Sequence, residues 1–348
     1  MSENFILCLQ NKLLIYINQS ICKVPEIYAL IKQINFKWDK DNSDKWKLLS
    51  EKAKQIVATL QLPPQIEERI LGILRPIALE ISRWRDDHDK ILSPEINANI
   101  FQWKNNGTIE RVDTAITIIK DTNLDIRKKF VLACLYSLED DISHLWNKMS
   151  TDDKLLVFEV SYSSIVQFWV SIMQGKTANW MELVSKCLHP VYRSNFINYQ
   201  NDPIWLRGFF DKLPTKEQQQ CLIFSVKNFF KDHDNVRFCL SKINISEQRE
   251  SFKNDLYRIL RIHLDWPLQD SFIKIANQMW DYLSKEQFCD ILYFIIYGRI
   301  IHKWNDYDYI SLLRQFWQYD IYGKFHIDDK DIIRSGDGHF MATAVMNL

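Results

Sequence analysis

Apolar residues recur at helical spacing along most of the chain. Phe272, Ala276, Met279, Trp280 and Leu283 fall at i, i+4, i+7, i+8 and i+11. Phe288, Ile291, Leu292 and Ile295 fall at i, i+3, i+4 and i+7, and Ile142, Leu145, Trp146 and Met149 repeat that spacing. At about 100° per residue, each set occupies one face of a helix. Sustained period-two alternation, the mark of a half-buried strand, is scarce. The pattern predicts an all-α fold.

A short motif recurs where one helical face ends and the next begins. Trp146-Asn147-Lys148-Met149-Ser150, Phe210-Asp211-Lys212-Leu213-Pro214, Trp280-Asp281-Tyr282-Leu283-Ser284 and Trp46-Lys47-Leu48-Leu49-Ser50 share one form. It is an aromatic, two mostly polar residues, Leu or Met, then Ser or Pro. Ser150, Thr215 and Ser284 are placed to cap the following helix, with Asp153, Gln218 and Gln287 three residues on at the capping-box position. Weaker echoes stand at Ile245-Ser246-Glu247-Gln248 and Leu92-Ser93-Pro94-Glu95, where Pro94 suits a first helical position. A second Trp follows twice, 23 residues after Trp146 at Trp169 and 24 after Trp280 at Trp304. The junctions at Met149, Leu213, Ile245 and Leu283 are 64, 32 and 38 residues apart, one or two helix–turn–helix units. Two helices of that length cannot bury their apolar faces alone, so neighbouring units must stack.

The unit from Ile126-Arg127-Lys128-Lys129-Phe130-Val131-Leu132-Ala133-Cys134 to Ile142-Ser143-His144-Leu145-Trp146 resembles the paired helices of an ankyrin repeat. Ala133 is the small residue of the first helix, and Ile142 and Leu145 mark the second. The Thr-Pro-Leu-His opening and the turn glycine of that family are missing. The stretch from Phe238-Cys239-Leu240-Ser241 through Leu264-Asp265-Trp266-Pro267 to Leu312-Leu313-Arg314-Gln315-Phe316-Trp317 resembles a group of uncharacterised arthropod helical-repeat proteins, over residues 124–320. That resemblance implies a fold and no activity. The expected architecture is an α-solenoid-like stack of degenerate, ankyrin-like helix pairs. Breaks at Asn105-Asn106-Gly107-Thr108 and Asp121-Thr122-Asn123 divide it into an N-terminal helical region, 1–122, and the repeats, 123–322. Ser335-Gly336-Asp337-Gly338 belongs to a tail, 323–348, expected to fray.

Composition narrows the classes further. Gly and Pro number only 8 and 9 among 348 residues, which removes collagen-like and low-complexity classes and leaves little for glycine-rich phosphate loops. Lys+Arg and Asp+Glu are 44 each, and a net charge of zero disfavours a dedicated binder of nucleic acid or anionic membrane. Gln10, Asn11 and Lys12 interrupt the apolar stretch at 5–17, and the longest later apolar run, 291–297, is far short of a membrane span. Seven cysteines without a CxxC pair fit a reducing compartment. The sequence reads as an intracellular, cytoplasmic protein needing no cofactor.

Candidate chemistry is sparse. Asp86-Asp87-His88-Asp89 resembles the aspartate-rich magnesium motif of isoprenoid synthases, but Lys90 stands where the next aspartate belongs. His233-Asp234 and His88-Asp89 each suit the dyad of a helical metal-dependent phosphohydrolase, which needs further ligands from other helices. Cys187-Leu188-His189 fits no zinc module, no nucleophile elbow occurs, and Arg127-Lys128-Lys129 suits a solvated face. Trp205 and Arg207, and Tyr307 and Tyr309, lie in connecting segments, where aromatics beside charge suit a protein interface. The expected function is a non-catalytic scaffold for a protein partner, with a metal-dependent all-α enzyme as the alternative.

Overall fold

The computed structural model describes residues 9–34, 42–89, 91–92, 96–159, 164–183, 204–228, 233–244, 247, 251–252 and 256–318. Among these the backbone is helical, with one isolated antiparallel bridge between Trp103 and Ile109. The all-α expectation holds. The tail 323–348, the Ser93-Pro94-Glu95 cap and the side chains of Trp205, His233 and Asp234 lie outside what is described.

Helix α1 (Leu9–Cys22) packs along α4 (Pro64–His88), burying Leu14, Ile15, Ile21 and Cys22. The buried stripe of α4 includes Ile70, Ile73, Leu74, Ile77 and Ile81, the spacing of one helical face. Two further helices, α2 (Pro25–Ile31) and α3 (Asn42–Ala58), pack on the same long helix. Pro76 sits inside α4 and has no N–H to offer the Gly72 carbonyl.

The bridge at Trp103 and Ile109 closes a turn in which Gly107 takes φ +79 and Asn106 Oδ1 accepts from Thr108 N at 3.1 Å. After α5 (Arg111–Ile119) comes α6 (Ile126–Leu135), capped by Asp125, whose side chain accepts from Arg127 N and Lys128 N. Every residue from Phe130 to Leu135 is buried. A run of six helical residues buried on every side needs neighbours all round. Here they are α5, α7 (Glu139–Lys148), α8 (Thr151–Glu159), α9 (Ser164–Met173) and α10 (Ile204–Phe209).

The junction motif has a common geometry at three places. Met149 (φ −67, ψ 140), Leu213 (φ −85, ψ 145) and Leu283 (φ −73, ψ 127) are each a single extended residue. Phe210–Lys212 and Trp280–Tyr282 both form 3-10 turns before it. Ser284 and Gln287 make the full reciprocal capping box, and Ser150 Oγ accepts from Asp153 N at 3.1 Å. Two expectations need correction. Thr215 is the first residue of α11 (Thr215–Asn228) and no cap; Gln218 instead turns its amide back onto the carbonyls of Phe210, at 3.1 Å, and Leu213, at 2.9 Å. The set at Trp46–Ser50 is no junction, because α3 runs through it unbroken.

The C-terminal part comprises α12 (His233–Lys242), α13 (Leu256–Ile262), α14 (Phe272–Met279), α15 (Lys285–Ile295) and α16 (Tyr309–Gln318). Helix α15 runs directly into a π-helix, Ile296–Ile301. The expected faces are buried at Phe272, Ala276, Met279, Leu283, Phe288, Ile291, Leu292 and Ile295. Trp146 and Trp280 are half-buried, at 5.5 Å from the Phe130 ring and 5.6 Å from the Phe288 ring respectively. No helix among the described residues is long and apolar enough to cross a membrane.

Candidate functional site: a buried charged clasp

Charged side chains from distant parts of the chain meet where α4 adjoins the C-terminal helices. Arg299, on the π-helix, is 2% exposed and pairs with Asp265 in the loop after α13. Arg237 of α12 donates to Glu80 of α4 at 3.0 Å and to the Trp266 carbonyl at 2.9 Å. Glu80 also lies 3.5 Å from Arg83, one turn along α4. The Trp266 indole N–H donates to the Asn106 carbonyl at 3.1 Å, tying the turn at Gly107 to the same loop.

The segment after the π-helix closes the clasp. Arg75 Nη1 donates to the His302 carbonyl at 3.2 Å, and its guanidinium lies over the rings of Trp304, at 4.1 Å, and Trp46, at 5.1 Å. The Arg299 guanidinium lies 4.3 Å from the same Trp304 ring and 5.0 Å from Phe294. Asp306 Oδ2 accepts from Gln269 Nε2 at 2.7 Å. The Tyr309 hydroxyl stands 3.2 Å from the Leu264 carbonyl and 3.3 Å from Asp306 Oδ2, and can donate to one at a time. Asn305 approaches Gly72 so closely that a Cβ there would lie 2.2 Å from the Asn305 oxygen. Only glycine admits that contact.

Burial sets the electrostatics. It lowers Arg75 to about 10, helped by the charge on Arg299 and opposed by Asp306. Burial also opposes the charge on Arg299, but Asp265, with Tyr309 and Asp306, outweighs it and holds the guanidinium above its ordinary value. Burial pushes the Asp306 carboxyl up to about 6 against the pull of Arg299. Arg75 Nε, Arg299 Nε, Trp304 Nε1 and Asp306 Oδ1 are buried without a hydrogen-bond partner, which costs roughly 1–3 kcal/mol for each such group. Guanidinium planes stacked over rings satisfy charge while leaving edge donors unmet. The paired groups come from α4, α12, the loop after α13 and the π-helix segment, so the arrangement clamps these chain segments together.

The sequence candidates are distributed differently. Tyr309 is 3% exposed and belongs to the clasp, so it does not offer an interface. Tyr307 is half-buried beside it, with rings 5.8 Å apart; burial and the neighbouring Asp270 raise its hydroxyl to about 12. Arg207, half-buried, lays its guanidinium 4.9 Å from the Phe238 ring. In the aspartate-rich segment, Asp86 and Asp89 are exposed, while Asp87 accepts from Arg111 at 2.7 Å. His88 is fully buried between Trp84, stacked at 4.0 Å, and Tyr136. A carbonyl can only accept, so His88 Nδ1–H donates to Trp84 O at 2.6 Å and Nε2 accepts from the Tyr136 hydroxyl at 2.9 Å. Neither nitrogen is left for a metal. Among the described residues no group of three or more His, Cys, Asp or Glu side chains could hold a metal ion.

Sequence reasoning passed over Arg299 and Asp265. A signal existed: Arg299 is the one charge between Ile291 and Ile301, and a cation inside an apolar run demands a buried partner. No known family model matches this chain, and no curated protein is significantly similar to it.

Proposed function

We propose that the protein is a non-catalytic, intracellular scaffold whose helix pairs stack in solenoid fashion and receive a protein partner on the outside. The supporting observation is helix α1, which carries two large apolar side chains on its outward side as well as a buried apolar face. Leu14, Ile15, Ile21 and Cys22 face the core, while Leu13 and Tyr16, one turn apart, are 57% and 66% exposed. Large apolar side chains turned together to water on an anchored helix suit docking. Leu155 and Leu156 on α8 make a second exposed pair. The charged interior agrees with this role, since its groups are engaged in holding segments together.

Capture from the native cell should return a defined protein with the wild-type chain and lose it with Leu13→Lys/Tyr16→Lys, whose circular dichroism and melting temperature stay within a degree or two of wild type. Identical capture by both would contradict a role for this face. A sharp melting-temperature rise with Zn²⁺, Mg²⁺ or Mn²⁺, abolished by mutating His233, would contradict the non-catalytic scaffold.

A further inference from the structure

Lys212 closes the 3-10 turn Phe210–Lys212, and its ammonium is seated among groups from three other elements. It lies 4.9 Å from the ring centre of Trp180 and 6.0 Å from that of Trp169, and it pairs with the Glu139 carboxylate at the start of α7. The rings are held in place. Trp180 stacks on Phe209 at 5.3 Å, meets Trp169 edge-on at 5.6 Å and touches Phe168 at 4.6 Å. Trp169 is buried, with its indole N–H unpartnered. Two indole rings beside a carboxylate form the chemistry that recognises ammonium groups, above all methylated ones.

We propose that Trp169, Trp180 and Glu139 form an ammonium-binding cage, occupied in cis by Lys212, that accepts a methylated ammonium group in its place. Two observations and one general property of methylated cations support the exchange. Lys212 and Glu139 are 37% and 53% exposed, so the resident cation can swing into water at little cost. Partial burial already holds the Lys212 ammonium below its ordinary pKa, the cost of stripping water from a primary ammonium. A methylated ammonium sheds its hydration more readily and adds apolar contact with the rings, worth about fourfold in affinity per methyl buried. The tethered lysine competes as an internal ligand at an effective concentration on the order of millimolar. Lys212 is therefore an autoinhibitory plug. The site is separate from α1 and does not depend on the scaffold role.

The test uses the full chain and three probes: tetramethylammonium, choline and a short peptide carrying trimethyl-lysine, each followed by saturation-transfer NMR and calorimetry. Lys212→Ala should bind tetramethylammonium at least fivefold more tightly than wild type. Glu139→Gln, an exposed change that leaves the core alone, should weaken binding severalfold in the Lys212→Ala background, and Trp180→Ala should abolish it. The trimethyl-lysine peptide should outbind its unmethylated twin by at least tenfold if a protein side chain is the source. Choline binding without peptide binding would assign the cage to a small quaternary ammonium. Equal affinity of Lys212→Ala and wild type for tetramethylammonium, or no binding of any probe, would overturn the proposal.

Discussion

At the scale of single residues, buried titratable groups set how stability depends on pH. Burial, helped by the charge on Arg111, lowers His88 to about 3 against the opposing Trp84 carbonyl, and burial lowers His263 as well. The folded state keeps both imidazoles neutral, whereas the unfolded chain takes up protons below about 6.5. The His88 contribution is complete above pH 6.5 and is lost as pH falls toward 3, and that of His263 is lost in the same direction. For His88 alone the loss between pH 6.5 and 5 is about 2 kcal/mol. Asp306 has the opposite sign. Its folded value of about 6 exceeds the ordinary 3.8, so its contribution is complete below 3.8 and declines as pH rises through 6. Denaturant melts from pH 4 to 8 should show His88→Phe flattening the acid limb and Asp306→Asn removing the decline toward neutral pH. A parallel shift of the whole profile in either variant would contradict the assignment.

At the scale of elements, caps and close approaches decide boundaries. Ser284→Ala removes the hydroxyl that accepts from Gln287 N at 3.2 Å, and should cost about 1 kcal/mol in chemical denaturation. Gly72→Ala should cost more, about 2–3 kcal/mol, because the new methyl meets the Asn305 backbone and not a side chain that can swing away. A neutral Gly72→Ala would mean that the 302–308 segment does not rest on α4. The same elements show what the sequence could and could not convey. The Ser284–Gln287 box was legible because both partners are local. The Trp46 set fits the motif without being a junction, because aromatic-x-x-Leu followed by Ser also continues a helix, and only tertiary packing says whether Ser50 starts one or sits within it. Tyr309 looked like a loop aromatic, although Asp308 accepts from Ser311 N at 2.9 Å and so caps α16 with Tyr309 as its first residue. The apolar faces were legible throughout α14 and α15. The clasp was not, since no local pattern pairs Glu80 with Arg237 across 157 residues.

At the scale of the whole molecule, the buried charges are expected to couple α4 to the C-terminal helices as one cooperative unit. Removing one partner of a buried pair strands the other, so Arg299→Met should cost about 3–5 kcal/mol. Adding Asp265→Leu should restore part of that, because it removes the carboxylate that Arg299→Met strands. The most direct measurement is native-state hydrogen exchange on wild type and Arg299→Met, which resolves where protection is lost. Joint loss of protection in α4 and in α15–α16, by similar free energies, is the predicted result. Loss confined to the π-helix and its neighbours, with α4 protected as in wild type, would contradict it.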